Sequence, residues 1–355
     1  MKIKSVSAYR KNLALSKPYT IAYQTIADVE NIFLEIELEN GIIGIGAANP
    51  SPDVVGESPD DTIKNLESEF VENLVGKNIL HFSQMIDDTK SKFPNLPGTQ
   101  AAIDIALHDA FGKFLEIPVV EFYAQKIKAL PTSVTIGIKN TEETLKEAAE
   151  YIKQGFKIVK VKMGLNVEED IERVIKLHEK FGHILKVRVD ANQGYDINSL
   201  KLFLDKTIDA EVELIEQPLR VSKEKELMEI DWDDRQFFAA DESLKNAQKA
   251  LQLANEPKPF GIYNIKLMKC GGIKGALEIA VIAQNAGIDL FWGCNDESIV
   301  SITAALHAAF ASNNTKYIDL DGSFDLSEDI VSGGFILEDG YMRPNGLPGL
   351  GIKKI

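Results

Sequence analysis

The feature that most constrains this chain is a strict alternation of strand and helix patterns that begins at Pro131 and continues to Gly322. "TSVTIGI" reads as a strand and "KNTEETLKEAAEYIKQG" as a helix. Asn140 and Glu143 stand at capping-box spacing, Leu145, Ala148, Ala149 and Ile152 form an apolar stripe, and Gly155 ends the segment. "IVKVKMG" is the next strand, followed by the helix "NVEEDIERVIKLHEKFG", the strand "LKVRVDANQ" and a helix near 197–207. The strand "VELIEQPL" leads to a helix near 222–230. "FFAADES", "GIYNIKLMKCGG", "IDLFWGCNDES" and "KYIDLDG" supply the last strands, with apolar helical patterns between them. Repeated βα units specify a parallel sheet. Eight strands with seven intervening helices favour closure into a (β/α)7β barrel of the TIM type over an open doubly wound sheet. No Gly-x-Gly-x-x-Gly follows the first strand, which argues against a dinucleotide fold.

The preceding segment has a different texture. "KIKSVSAYRKNLAL" and "ENIFLEIELENGIIGIGAA" read as antiparallel strands turning at "ENG". "SPDDTIKNLESEFVENLVG" and "GTQAAIDIALHDAFGKFLE" then read as helices, the second apolar almost all round and therefore buried between layers. Residues 1–125 are expected to form a small α+β capping domain and 126–329 the barrel. The Gly/Pro-rich tail 330–355 should return to complete the cap. The 355 residues are enough for such an arrangement, and their 45% hydrophobic and 26% charged content is that of a soluble protein. A net charge of −15 argues against nucleic acid or anionic membrane as partners. No stretch approaches a membrane span, and "MKIKSVSAYRKNLAL" has no secretory apolar core. Two cysteines outside any Cys-x-x-Cys pair fit a reducing, cytoplasmic setting.

In a parallel barrel the chemistry sits at the C-terminal ends of the strands. Those ends carry Thr135, Lys160 with Lys162, Asp190, Glu216, Asp241, Lys266, Asp296, and Asp319 with Asp321. Charges inside apolar runs such as "VRVDAN", "LIEQP", "FAADES" and "NIKLM" are costly to bury unless paired or metal-bound. Asp190, Glu216 and Asp241 end three consecutive strands, and oxygen-only donors suit a hard divalent cation, with Mg²⁺ the first choice. The plainer alternative is that these carboxylates pair with the neighbouring lysines. Lys162 and Lys266 flank the row from strands two and six, on opposite sides of a closed ring. Two bases facing one centre provide a 1,1-proton transfer. A base lysine must be neutral, so Lys160 is expected to depress Lys162 while holding a substrate oxygen.

These residues resemble the enolase superfamily in its muconate-lactonizing subgroup: the Lys-x-Lys of "KVKMG", the carboxylates of "VDANQ", "IEQP" and "ADES", the lysine of "NIKLMKCGG", and the closing "LPGLGI". The resemblance covers essentially the whole chain. It implies abstraction of a proton α to a Mg²⁺-bound carboxylate through an enediolate. "YIDLDG" is similar to the Asp-x-Asp with which dipeptide epimerases hold the substrate ammonium, here Asp319 and Asp321, although aspartates before Gly322 also close turns. The resemblance further places Gln24 where Ala-Glu epimerases carry an arginine for the acidic side chain, and Cys294 and Asp296 beside the substrate. It therefore implies a Mg²⁺-dependent epimerase of L,L-dipeptides with a neutral, polar or apolar second residue, Asp296 leaning toward polar or cationic ones.

Other readings remain. An Ala-Glu epimerase or a succinylbenzoate synthase or cycloisomerase would keep the superfamily, a Schiff-base aldolase would use Lys266 or Lys162 without metal, and a non-catalytic barrel would merely bind small molecules. The expected partners are a dipeptide and further copies of the chain. His108, His307 and Cys270 read as packing or loop residues.

Overall fold

Alternating apolar and polar positions in "IVKVK" and its counterparts leave one strand face for helices and one for the barrel axis. The computed structural model describes residues 1–21, 24–52 and 55–355, with side chains outside 17–26. Three antiparallel strands open the chain: β1 (Ile3–Ile21), β2 (Gln24–Leu38) and β3 (Ile43–Ala48). The β2–β3 turn runs through Gly41, whose φ of +84° lies in the left-handed region. Helices α1 (Pro59–Leu66), α2 (Phe82–Lys92) and α3 (Pro97–Leu115) follow. Helix α3 lies on the sheet because its alanines meet glycines there. A Cβ at Gly46 would fall 1.9 Å from the Ala102 carbonyl oxygen, and one at Gly44 2.4 Å from that of Ala106. Any larger residue at either position would force the layers apart.

The barrel strands are β4 (Val134–Ile136), β5 (Ile158–Lys162), β6 (Lys186–Asp190), β7 (Ile215–Glu216), β8 (Phe238–Ala240), β9 (Ile262–Ile265), β10 (Asp289–Trp292) and β11 (Thr315–Ile318). Each hydrogen-bonds its sequence neighbours in parallel, giving one eight-stranded sheet in chain order. A parallel bridge between Thr132 and Ile318, with the Ser133 amide donating to the Ile318 carbonyl at 3.2 Å, joins the last strand to the first. The intervening helices include α4 (Thr141–Lys153), α5 (Val167–Phe181), α6 (Ile197–Thr207), α7 (Ala247–Leu253), α8 (Ile273–Asn285) and α9 (Ile299–Phe310). Asn140 caps α4 by accepting the Glu143 amide at 2.9 Å.

Two local expectations differ from the structure. The strand read across "VELIEQPL" shortens to Ile215–Glu216, and the helix read near 222–230 is a 3₁₀ segment, Val221–Glu229. Only Leu227 of that segment is buried, so no apolar stripe holds a regular α-helix there.

The cap and barrel are tied by buried polar contacts. Asp104 of α3 accepts the Ile273 amide at the start of α8 (2.7 Å), and Asp109 accepts the Ile45 and Leu350 amides at 2.9 Å each, fastening the tail against the cap. His307 of α9 accepts the Val120 amide at 3.0 Å, and burial lowers its pKa to about 3. This histidine makes folding acid-sensitive. Its folded pKa lies below the ordinary 6.5, so acid protonates the unfolded chain first. Its contribution is complete above about pH 6.5 and is lost at about 1.4 kcal/mol per pH unit as pH falls toward 3. His307→Gln keeps an acceptor for Val120 and is expected to flatten the urea-unfolding stability over that range. Parallel pH profiles for the two proteins would reject the assignment.

Candidate active site

Val159, Val161 and Met163 are buried against the helical layer, while Lys160 and Lys162 face the opposite way, where Lys160 meets a residue of the last strand's end. Lys160 is almost fully buried. Its ammonium is ion-paired with Asp319, and Glu216 lies 3.6 Å away. Burial pulls the Lys160 pKa down, yet Asp319, Glu216, Asp190 and Asp321 together hold it well above the usual lysine value. Lys162 donates to Asp190 at 2.7 Å and is the more open of the pair. Across the ring, at the end of β9, Lys266 donates to Asp241 at 3.1 Å. Burial alone would depress this ammonium, but the charges of Asp241 and Glu216 raise it instead.

Asp190 and Glu216 are register partners on adjacent parallel strands. Glu216 is fully buried and pushed up to about 8, first by burial and then by the Asp190 charge. Asp241 goes the other way. Burial raises it, but Lys266 and Lys269 hold it well below the carboxylate range. Among the described residues, no three carboxylates, histidines or cysteines gather as a ready ligand group. Each of the three expected ligands is instead engaged by a lysine. Glu216 Oε2 is nevertheless buried without a hydrogen-bond partner. An orphaned carboxylate oxygen between two further carboxylates, with oxygen donors throughout, is chemistry that a hard divalent cation satisfies. The residues present therefore fit a metal, provided the lysines yield their oxygens.

The structure brings the remaining expected residues to the same end of the barrel. Asp319 accepts from Ser133 at 2.5 Å as well as from Lys160. Asp321 takes the Thr135 amide at 2.7 Å and is pushed up to about 7 by burial and by Asp319. Cys294 donates its thiol to the Asp319 carbonyl at 3.2 Å and is raised by burial and both aspartates. Asp296 is half-buried on the same loop, close enough to raise the buried Glu297 carboxyl. Gln24 lies outside the described side chains.

Sequence reasoning left Arg188 and Ser133 unassigned. Arg188 donates to Ser133 at 3.2 Å, to the Ile318 carbonyl at 2.7 Å and to Glu213 at 2.6 Å, locking the Asp319 end of the barrel to its opposite strands. The signal was present: Arg188 precedes Asp190 by two in "VRVD" and so shares its face. His108 bonds the Asp104 carbonyl and the Tyr123 hydroxyl, a packing role as expected.

A capped parallel barrel with carboxylates on three successive strand ends and lysines on the strands either side has the architecture that enolase typifies. The chain belongs to the mandelate racemase/muconate lactonizing enzyme family. Residues 3–123 match that family's N-terminal domain, and residues 143–354 match the enolase C-terminal domain-like family. The L-Lys-D/L-Arg epimerase of Desulforapulum autotrophicum is 50% identical over 100% of both chains. The crystal structure of a dipeptide epimerase from Methylococcus capsulatus complexed with Mg and L-Arg-D-Lys superposes with a TM-score of 0.96 at 43% identity, covering 99% of each chain. That of Enterococcus faecalis complexed with Mg and L-Leu-L-Tyr gives 0.93 at 34% identity, over 99% of this chain and 100% of that one.

Proposed function

We propose that this protein is a Mg²⁺-dependent isomerase that epimerises dipeptides at the α-carbon of the C-terminal residue. The observation that carries the reading is the placement of Lys162 and Lys266 on the second and sixth strands of an eight-stranded ring, with three carboxylate-bearing strands between them. Lys162 removes or returns the proton on one face of the α-carbon and Lys266 acts on the other. A divalent cation on Asp190, Glu216 and Asp241 would supply positive charge beside the substrate carboxylate and take from the two lysines the anions that hold their protons. Asp321, whose carboxylate is met by the Thr135 amide, takes the substrate ammonium. Asp319, tied to Lys160, fixes that end of the pocket. Lys160 faces a substrate oxygen, and Cys294 lines the wall.

The second residue is read as cationic, narrowing the neutral, polar or apolar one expected from Gln24 in the direction toward which Asp296 leaned. Around the strand ends Asp190, Glu216, Asp241, Glu242, Asp296, Glu297, Asp319 and Asp321 outnumber the ammoniums of Lys160, Lys162, Lys266 and Lys269 two to one. This carboxyl-rich rim supports a substrate that carries additional positive charge. The D. autotrophicum relative named for Lys and Arg and the M. capsulatus complex with L-Arg-D-Lys support the same class. Asp296, half-buried on the loop after β10, is the carboxylate we assign to a cationic side chain. Among the described residues, no helix is long and apolar enough to cross a membrane. Both thiols are free, in accord with a cytoplasmic enzyme. A homo-oligomer is also part of this reading, and light scattering would test it.

The test is incubation of L-Lys-L-Arg, L-Leu-L-Tyr and L-Ala-L-Glu with enzyme and Mg²⁺ in D₂O. Deuterium should enter the C-terminal residue with appearance of its D-epimer, at least tenfold faster for the cationic dipeptide. Retention of protium on all three would end the epimerase reading, and a preference for L-Ala-L-Glu would end the cationic one.

A further inference from the structure

Two buried polar side chains on either side of Lys266 have no role in the reading above. Asn264 is fully buried on β9, inside the barrel. Its amide nitrogen donates to Glu216 Oε1 at 2.6 Å, while its own Oδ1 has no donor. A Cβ at Gly293 would lie 2.5 Å from that oxygen, so the glycine of "WGCN" clears the space the amide needs. Lys269 follows on the short turn Leu267–Cys270 and is also buried. It donates to the Asp241 carbonyl at 2.6 Å and, in a shorter contact, to Asp241 Oδ1.

The two contacts share a pattern. Each takes one oxygen of a carboxylate on another strand end and leaves the second. The oxygens left are Glu216 Oε2, without a hydrogen-bond partner and 3.6 Å from Lys160, and Asp241 Oδ2, met by Lys266. We infer that Asn264 and Lys269 are positioning residues: by capturing Glu216 Oε1 and Asp241 Oδ1 they aim Glu216 Oε2 and Asp241 Oδ2 at the cation. This inference rests on the metal-dependent reading above.

The physical case is orientational. A carboxylate free to rotate presents two equivalent oxygens, and holding one by a donor selects the other before the ion arrives. Packing alone does not account for either residue. Asn264 is carried into the barrel with an acceptor left unmet, and Lys269 brings an ammonium into the barrel wall, desolvation costs that each residue accepts in order to meet a carboxylate. The segment "NIKLMK" thus carries a base and sets two carboxylates on neighbouring strands.

The experiment titrates metal-free protein with MgCl₂ alone in a calorimeter and records the melting temperature of each metal-free sample. Wild type should bind one Mg²⁺. Asn264→Leu and Lys269→Met should each bind 10- to 100-fold more weakly, the range found when outer partners of metal ligands are removed, with a lower metal-free melting temperature because a buried carboxylate oxygen loses its donor. Should either fail to fold, Asn264→Ser and Lys269→Gln carry the same expectation. Binding within twofold of wild type in both would overturn the inference while leaving the epimerase reading intact. Loss in only one would overturn the paired role. A wild type that binds no Mg²⁺ would remove the metal-dependent reading, and this inference with it.

Discussion

Lys162→Ala and Lys266→Ala are each expected to lower epimerisation by about 10²- to 10⁴-fold, the span attributed to a positioned acid–base group, while retaining proton exchange on opposite stereoisomers. Inversion needs both faces of the α-carbon. In the proposed mechanism one lysine withdraws the proton, and the other, four strands around the ring, delivers one. A variant with a single lysine can still remove and replace the proton of whichever isomer presents it to that side. In D₂O, one variant should therefore exchange the L,L-dipeptide with retention and the other the L,D-dipeptide. The two lesions also differ structurally. Without Lys266, the Asp241 carboxylate keeps Lys269, whereas without Lys162, Asp190 loses its ion pair and keeps the Asn192 amide at 2.9 Å. Lys162→Ala should consequently alter Mg²⁺ affinity more than Lys266→Ala. Exchange of the same isomer by both variants would put both lysines on one face and end the two-base mechanism.

Much of this arrangement was legible in the sequence because burying charge is expensive. "IVKVK", "VRVD" and "LIEQP" place ionised groups where period-2 alternation turns them away from the helices, and only a functional centre or an ion pair repays that. The structure shows that the two explanations coexist. Asp190, Glu216 and Asp241 are each engaged by a lysine, as the plainer alternative held, yet Glu216 keeps an unmet oxygen. What the sequence could not display was contact across strands. Asn264 stands two residues before Lys266 and reads as an ordinary polar strand residue until its nitrogen is seen on Glu216, 48 positions away. Lys269 reads as a helix cation until the turn folds it back on Asp241. Asp319 looked equivalent to Asp321, but Lys160 and Ser133 already occupy it, which leaves Asp321 as the more available anion. The segment after "LIEQP" escaped for a different reason. Lys223, Glu224, Lys225 and Glu226 give it helical propensity, but without an apolar stripe the helix has no face to bury.

Glu216→Gln is expected to abolish measurable Mg²⁺ binding and epimerisation while making the metal-free protein more stable. Burial and the neighbouring Asp190 charge push the Glu216 carboxyl up to about 8, against an ordinary 4.5. For an acid with a raised folded pKa, the unfolded chain ionises first. The metal-free fold therefore loses stability as pH rises from about 4.5 to about 8 and stays at the lower level above that. Glutamine keeps the shape, and its amide oxygen can still accept from Asn264, but it carries no charge to repel Asp190. The gain should consequently be small near pH 5 and largest at pH 8, with a rise in melting temperature of roughly 2–4 °C for each kcal/mol recovered. The same change removes the negative charge whose free oxygen would face the proposed cation, so calorimetric Mg²⁺ binding should weaken beyond 100-fold. Equal melting temperatures for the two metal-free proteins at pH 8, or a variant that binds Mg²⁺ like wild type, would contradict this account. Stability surrendered in the empty site and recovered by metal is the signature of a carboxylate held for chemistry, not for folding.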